Sequence, residues 1–535
     1  MWTLLAMVRR LACLALLLAL AGCQKPQPPR AAHATHASEP PDIAWFDGSL
    51  DGAFIVAKRE SRPVLIYWGA EWCPFCHTLK STVFSRADFI AKSKLFLPVY
   101  LDGDDDGAQK WGESFRIQGY PTLIVLDPDR HELIRLGAGR DVSQYAAALD
   151  LALENIQPID ALLQAAAGGK ALTSDECRRL AYNSWELDMV EPTSFDAQAH
   201  ALTTAAASCP RDAQLELERA NLNVYAAWYA ASAESEALDR PKAQASAMLA
   251  ELEDHVAEVL AEPALAVSGA DALAVLDDSF FKAVRVRGGS LPATVRERYV
   301  AAMRSAADDQ RYVLADQLGF IDAEVRALKA LSPPKTALPR DVPAVAHERI
   351  AAALAAEQNP FVRSGLVNAA LNILEDLGDY PGAYAIAHAE IPRASAPYYY
   401  KADLAEIAEK LGRKDEALML FDEAYRESQG AATRFQWGQL YVSGLLRLAP
   451  RDSQRIEDAG SAVLGELDGP DRIYRRARVR LERLDQQLRA WNDAARGEHA
   501  EVLRVLHTRM QQICVKIPAA QPARSSCDAF LGKAA

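Results

Sequence analysis

Val64-Leu65-Ile66-Tyr67-Trp68-Gly69-Ala70-Glu71-Trp72-Cys73-Pro74-Phe75-Cys76 is the stretch that decides the fold of the N-terminal third of this 535-residue chain. Its first five residues are large and apolar and read as a buried strand. Cys73 onward reads as a helix running to near Ser85. A cysteine at a helix N-terminus meets unpaired backbone N–H groups and the positive end of the macrodipole, both of which favour thiolate over thiol. Cys73 is therefore the expected attacking sulfur. Cys76, one helical turn on, is placed to resolve a mixed disulfide and is expected to be the more buried of the two.

Outward from this turn, short apolar runs alternate with helical segments from Ile43 to about Glu154, the pattern of an α/β domain. A strand is expected at Leu95 to Leu101, a helix at Ala108 to Phe115, strands at Thr122 to Leu126 and Glu132 to Leu136, and a closing helix from Val142 to Leu153.

Three features together resemble the thioredoxin superfamily over about 110 residues: Glu71-Trp72-Cys73-Pro74-Phe75-Cys76 on the turn, Gly119-Tyr120-Pro121-Thr122 with its proline 45 residues after Cys76, and the order of elements between them. The resemblance implies that Pro121 is cis and faces the dithiol. It further implies that Trp72, Tyr120 and Pro121 shape a substrate groove, where a client peptide adds to the backbone at Tyr120. Ala57-Lys58, Arg62-Pro63-Val64-Leu65 and Thr82-Val83-Phe84-Ser85 look like the periplasmic C-terminal domain of the transmembrane disulfide reductase and its soluble relatives, which implies a reductant role. Pro74-Phe75 differs from the Gly-Pro of cytosolic thioredoxins, and inter-cysteine residues strongly affect potential, so direction stays open.

The family's buried Asp six residues before the first cysteine is here Tyr67, read as core packing with its hydroxyl as a polar alternative. Glu71 is the candidate proton carrier, set against a solvated surface role. His77 reads as a helix-surface residue rather than a thiolate partner. Asp102, Asp104, Asp106, Gly107 and Glu113 fit the spacing of a calcium loop. The segment follows a strand rather than a helix, and Gln109 stands where an apolar residue is usual, so a solvated acidic loop without metal is the expectation.

Beyond Gln157 the chain turns rich in Ala, Leu, Glu and Arg with helical periodicity, and an all-α region is expected over 157–535. Leu377-Gly378-Asp379 recurs as Leu411-Gly412-Arg413, and Ala383 as Ala417, each offset by 34 residues, the tetratricopeptide period. The clearest repeats fall in about 366–428, with degenerate repeats around them and an irregular bundle as the alternative. Tyr398-Tyr399-Tyr400 is read as core, with a client groove as the rival.

The N-terminus carries an address. Arg9-Arg10 precedes a short apolar stretch ending in Leu20-Ala21-Gly22-Cys23, which looks like the bacterial lipobox, with residues 1–22 removed and Cys23 lipidated. Gln24 resembles outer-membrane rather than inner-membrane sorting. The Pro- and Ala-rich 23–42 is expected to be a flexible tether. The net charge of −13 becomes −15 once Arg9 and Arg10 leave, which argues against nucleic acid as a partner. Of the eight cysteines, Cys13 and Cys23 belong to leader and lipid. Four more permit three pairings, of which nearness in sequence favours Cys177–Cys209 and Cys514–Cys527.

The expectation is a lipid-anchored envelope protein facing the periplasm: a thioredoxin-like domain over 43–156 that exchanges disulfides with protein substrates, as reductase or isomerase, needing an upstream redox partner and no cofactor beyond its thiols. The helical region would hold client or partner near Cys73. The rival from another class is a non-enzymatic scaffold whose CxxC is a structural disulfide.

Overall fold

Ser49 accepts the Gly52 N–H at 3.1 Å and so opens helix α1 (Leu50–Glu60), whose Leu50, Ala53, Phe54 and Ala57 are buried. In this computed structural model the described residues run from Ile43 to Gly532, apart from 106, 155, 239–246, 287–292, 334, 470–471 and 520. The expected leader, Cys23 and tether lie outside the described residues. There follow β1 (Val64–Gly69), α2 (Pro74–Thr82), α3 (Ala87–Ser93), β2 (Leu97–Asp102), α4 (Ala108–Ser114), β3 (Thr122–Leu126), β4 (Glu132–Leu136) and α5 (Gln144–Glu154). Neither α1 nor α3 is among the elements expected from sequence. α2 stops at Thr82, about a turn short of Ser85, and β2 begins at Leu97 because Leu95 lies exposed outside the sheet.

The four strands lie in the order β2-β1-β3-β4, the arrangement the resemblance implies. β1 runs parallel to β2, with Val64 opposite Leu97, and antiparallel to β3, with Val64 opposite Leu126; β4 pairs antiparallel with β3. Every residue of β1 and β3 is buried, and their side chains alternate between two cores. Leu65 and Tyr67 pack with Leu79 of α2, Phe89 of α3 and Leu149 of α5. Val64, Ile66 and Trp68 pack on the other face with Phe54 of α1 and Ala108 of α4.

Beyond α5, every regular element among the described residues is helical, apart from a single bridge between Asp188 and Ile117. None of these helices is long and apolar enough to cross a membrane. The 34-residue recurrence has a backbone counterpart. Gly378 follows helix Pro360–Leu377 and Gly412 follows helix Pro397–Lys410, both at φ +77°, where a side chain is disfavoured. The next helices start at Tyr380 and Lys414, and each buries its equivalent alanine, Ala383 or Ala417, completely. Cys177 bonds to Cys209 and Cys514 to Cys527, the pairings that sequence proximity favours.

The described residues, Ile43 to Gly532, form one compact unit. At one side Arg135 of β4, wholly buried, donates to the carbonyls of Phe115 at 2.7 Å, Arg116 at 2.9 Å and Leu187 at 2.7 Å, and pairs with Glu132 at 2.7 Å. That set ties the sheet to the start of the helical region. At the other side, helix Pro360–Leu377 lies against α2 so closely that a Cβ at Gly365 would stand 2.4 Å from Thr78 Oγ1.

Candidate active site: a dithiol turn under a helical cover

Cys73 is the N-cap of α2. Its Sγ accepts the Cys76 N–H at 3.1 Å, which puts the sulfur on the unpaired end of the helix as expected for a thiolate site. The two cysteines are bonded to each other, with Cα atoms 5.2 Å apart. Cys73 is 2% exposed and Cys76 0%. The peptide bond between Tyr120 and Pro121 is cis, and Pro121 is buried at the start of β3.

At Trp72 and Tyr120, two of the three residues of the expected groove, the chain's own helical region packs against the turn. Trp72 stacks on Tyr399 with ring centroids 5.9 Å apart and meets Trp437 edge-on at 6.4 Å and Tyr120 at 5.4 Å. Tyr398 and Tyr400 are buried, as the core reading expects, and Tyr399 packs against Trp72. The Trp72 indole N–H donates to Asp104 at 2.7 Å. The same carboxylate takes the Thr433 hydroxyl at 2.7 Å and its backbone N–H at 3.2 Å. Burial pushes the Asp104 carboxyl up, against those hydrogen bonds.

The expected solvated acidic loop is thus corrected, since part of it is an interface. Asp102 is buried, accepts from Tyr100 Oη and the Asp104 N–H at 2.9 Å each, and is pushed up to about 6 by burial. Glu113 turns away to Arg478 at 2.8 Å, which with its Arg475 neighbour holds the carboxyl below its usual range in spite of burial. Position 106 lies outside the described residues. Among them, no group of three or more metal-ligating side chains converges.

His77 also departs from expectation, being 5% exposed rather than on the surface. Its Nε2 donates to the Glu71 carbonyl at 2.7 Å, its Nδ1 lies 3.2 Å from Ser364 Oγ, and Phe361 meets the ring edge-on. Burial holds it below the ordinary histidine range, so it is neutral near pH 7. Glu71 is exposed in the turn. Tyr67 is core as expected: it stacks on Tyr100 at 5.2 Å and on edge against Phe84 at 4.9 Å, its buried hydroxyl lacks a hydrogen-bond partner, and burial pushes it well up. The interface residues Ser364, Tyr399, Thr433, Trp437 and Arg478 lie hundreds of positions from their partners, and only the tyrosine triplet gave any signal in sequence.

Sheet order, strand-to-helix dithiol and cis proline define a thioredoxin-like domain, followed by a large all-helical region. Residues 50–153 match the family model for a thioredoxin-like domain. Over 85 residues the chain is 28% identical to thiol:disulfide interchange protein DsbD 2 of Pseudomonas aeruginosa, a stretch covering 16% of this chain and 14% of that relative's length. A solved structure of DsbH oxidoreductase is similar at 18% identity, covering 22% of this chain and 85% of its own, with a TM-score of 0.17. The match places the Cys73–Cys76 pair inside a thioredoxin-like domain.

Proposed function

We propose that the protein is an envelope thiol–disulfide oxidoreductase that reduces or isomerises protein disulfides. The observation that carries this is Cys73 Sγ accepting an N–H at the mouth of α2 with Cys76 bonded behind it. The Cys73 thiolate attacks a client disulfide, Cys76 attacks the resulting mixed disulfide, and the pair leaves oxidised. An upstream dithiol donor must then restore it. In this reading Trp72, Tyr120 and Pro121 would shape the substrate groove, and Glu71, exposed in the turn, would carry the proton on the solvent side. Lipidation at Cys23 would hold the chain on the outer membrane facing the periplasm, a reading supported by two further disulfides of the kind oxidising compartments permit. The helical region, read as tetratricopeptide-like, would bind client or partner.

The test is the reduction potential of the full chain, equilibrated against glutathione with Cys73 alkylation as readout. A value near about −270 mV or below assigns a reductase, and roughly −120 to −180 mV an oxidase or isomerase. One observation favours the scaffold reading, namely the near-complete burial of both sulfurs. A pair that stays oxidised at every poise would establish that reading and end the catalytic one.

A further inference from the structure

Beside Trp72 and Tyr120 lies a pocket walled on its far side by helix Arg475–Ala494, with Arg472, Arg476 and Arg480 on its lining. Arg476 lies over the Tyr120 ring, its guanidinium carbon 4.8 Å from the centroid. Among the described residues neither Arg476 nor Arg480 has a hydrogen-bond or ion-pair partner for its guanidinium. Asp104, on the same wall, accepts from Trp72 and Thr433 and also feels the Arg476 charge, so it offsets part of that charge, and Asp105 lines the pocket beside it. Burial and the neighbouring Arg476 and Arg483 lower Arg480 to about 10, which still leaves it charged at neutral pH.

The opposite flank of the turn makes the contrast. There a cavity of about 310 Å³ runs from Phe75 past Arg140, Asp271 and Asp316. Burial and Asp271 push Asp316 up to about 7. A buried carboxylic acid can neutralise itself by keeping a proton, whereas a guanidinium cannot lose one under ordinary conditions. With Arg472, Arg476 and Arg480 against Asp104 and Asp105 the lining keeps an excess of positive charge that suits an anion, whereas the acidic cavity needs no ligand.

We propose that this pocket receives a carboxylate of the disulfide substrate, gripped by Arg476 and Arg480 beside Trp72, so that the dithiol acts on acidic disulfides in preference to neutral or basic ones. Two planar guanidiniums suit a carboxylate, which each can meet with paired N–H donors. The inference rests on the exchange chemistry proposed above. The Cys73 thiolate attacks one substrate sulfur, the substrate S–S bond breaks, and one carboxylate-bearing thiolate leaves. Cys76, losing its proton, then attacks the Cys73 sulfur and releases the second thiolate. Two electrons and two protons pass from the dithiol to two thiol products, and an external dithiol restores the enzyme.

The test uses the full chain, reduced at Cys73 and Cys76 and freed of reductant, in single turnovers read by alkylation and mass. The substrates are 3,3′-dithiodipropionate, 2-hydroxyethyl disulfide and cystamine, of similar length and negative, zero and positive charge in turn. The diacid is expected to exceed the neutral disulfide by about tenfold, with cystamine slowest. Arg476→Gln with Arg480→Gln should erase that order, and Arg480→Lys should keep part of it. Independently of turnover, suberate, the carbon analogue of the diacid, should raise the Tm of the oxidised chain but not of the double variant. A peptide disulfide flanked by glutamates, run alongside, tells a client-borne carboxylate from a free one by which reacts faster. Equal rates for the three small disulfides, or an order that survives in the double variant, overturn the inference and leave the exchange reading intact. Failure of every disulfide to oxidise the pair overturns both.

Discussion

Among the described residues three disulfides are buried to nearly the same degree and sit in different kinds of backbone. Cys177–Cys209 and Cys514–Cys527 join separate segments across 32 and 13 positions, whereas Cys73–Cys76 closes a single helical turn across 3. In the chain-entropy account a bridge stabilises by restricting the unfolded chain, and more so the longer the loop it closes. The short bridge therefore contributes least to the fold and can open with the least loss. Burial, the mark in favour of a structural bridge, is common to all three; the position of its sulfur on a helix N-terminus sets Cys73–Cys76 apart.

The largest expected effect tests that distinction directly. Cys73→Ser should lower disulfide exchange by at least about a thousandfold, followed with a fluorescent disulfide substrate, with an unchanged Tm. A fall in Tm as large as that from losing a long bridge would erase the difference between the two kinds. Next, replacing Cys177 and Cys209 together by alanine should cost about 3 to 4 kcal/mol in urea unfolding, and replacing Cys514 and Cys527 about 3 kcal/mol, both with exchange at Cys73 retained. Mild dithiothreitol should open only Cys73–Cys76, as mass spectrometry after alkylation would count.

A smaller effect belongs to the cover. Gly365→Leu puts a side chain into Thr78, should cost about 1 to 3 kcal/mol, and should speed alkylation of reduced Cys73 by loosening helix Pro360–Leu377 from α2. Unchanged alkylation would mean that the cover does not control access.

The smallest effect involves no sulfur. Burial raises Asp316 to about 7, and Asp102 and Asp322 to about 6, each above the ordinary carboxylate range near 4. Between about pH 4 and 7 the folded chain then binds more protons than the unfolded one. This contribution is complete at the acid end and is lost as pH rises through the folded values. Their share of stability should therefore fall from pH 5 to 8, and Asp316→Asn should flatten the slope of Tm against pH over that window.

The apolar run Val64 to Trp68, the dithiol at the start of α2 and the proline before β3 were legible because each is local, written in residues a few positions apart. Helix α1 carries its signals too, a Ser49 cap and apolar positions at 50, 53, 54 and 57, although it is not among the elements expected from sequence. The cysteine pairings were legible from separation alone. What stayed hidden is the cover. His77 looks like a surface residue until Ser364 and Phe361 close on it, and Asp104 looks like part of a solvated loop until Thr433 arrives from 329 positions away. A single sequence holds no record of which distant faces meet, so the groove expected at Trp72 was read as open.

The Trp72–Asp104–Thr433 clasp joins the redox turn to the helical region, which makes the two thermodynamically reciprocal. Any difference in how firmly the helices grip the dithiol and the disulfide forms is also a shift in potential, about 30 mV for each 1.4 kcal/mol. A molecule that binds the helices and loosens the clasp would thereby retune the electrons at Cys73 without touching a sulfur. In the same measure, the redox state of two sulfurs would set how tightly that molecule is held.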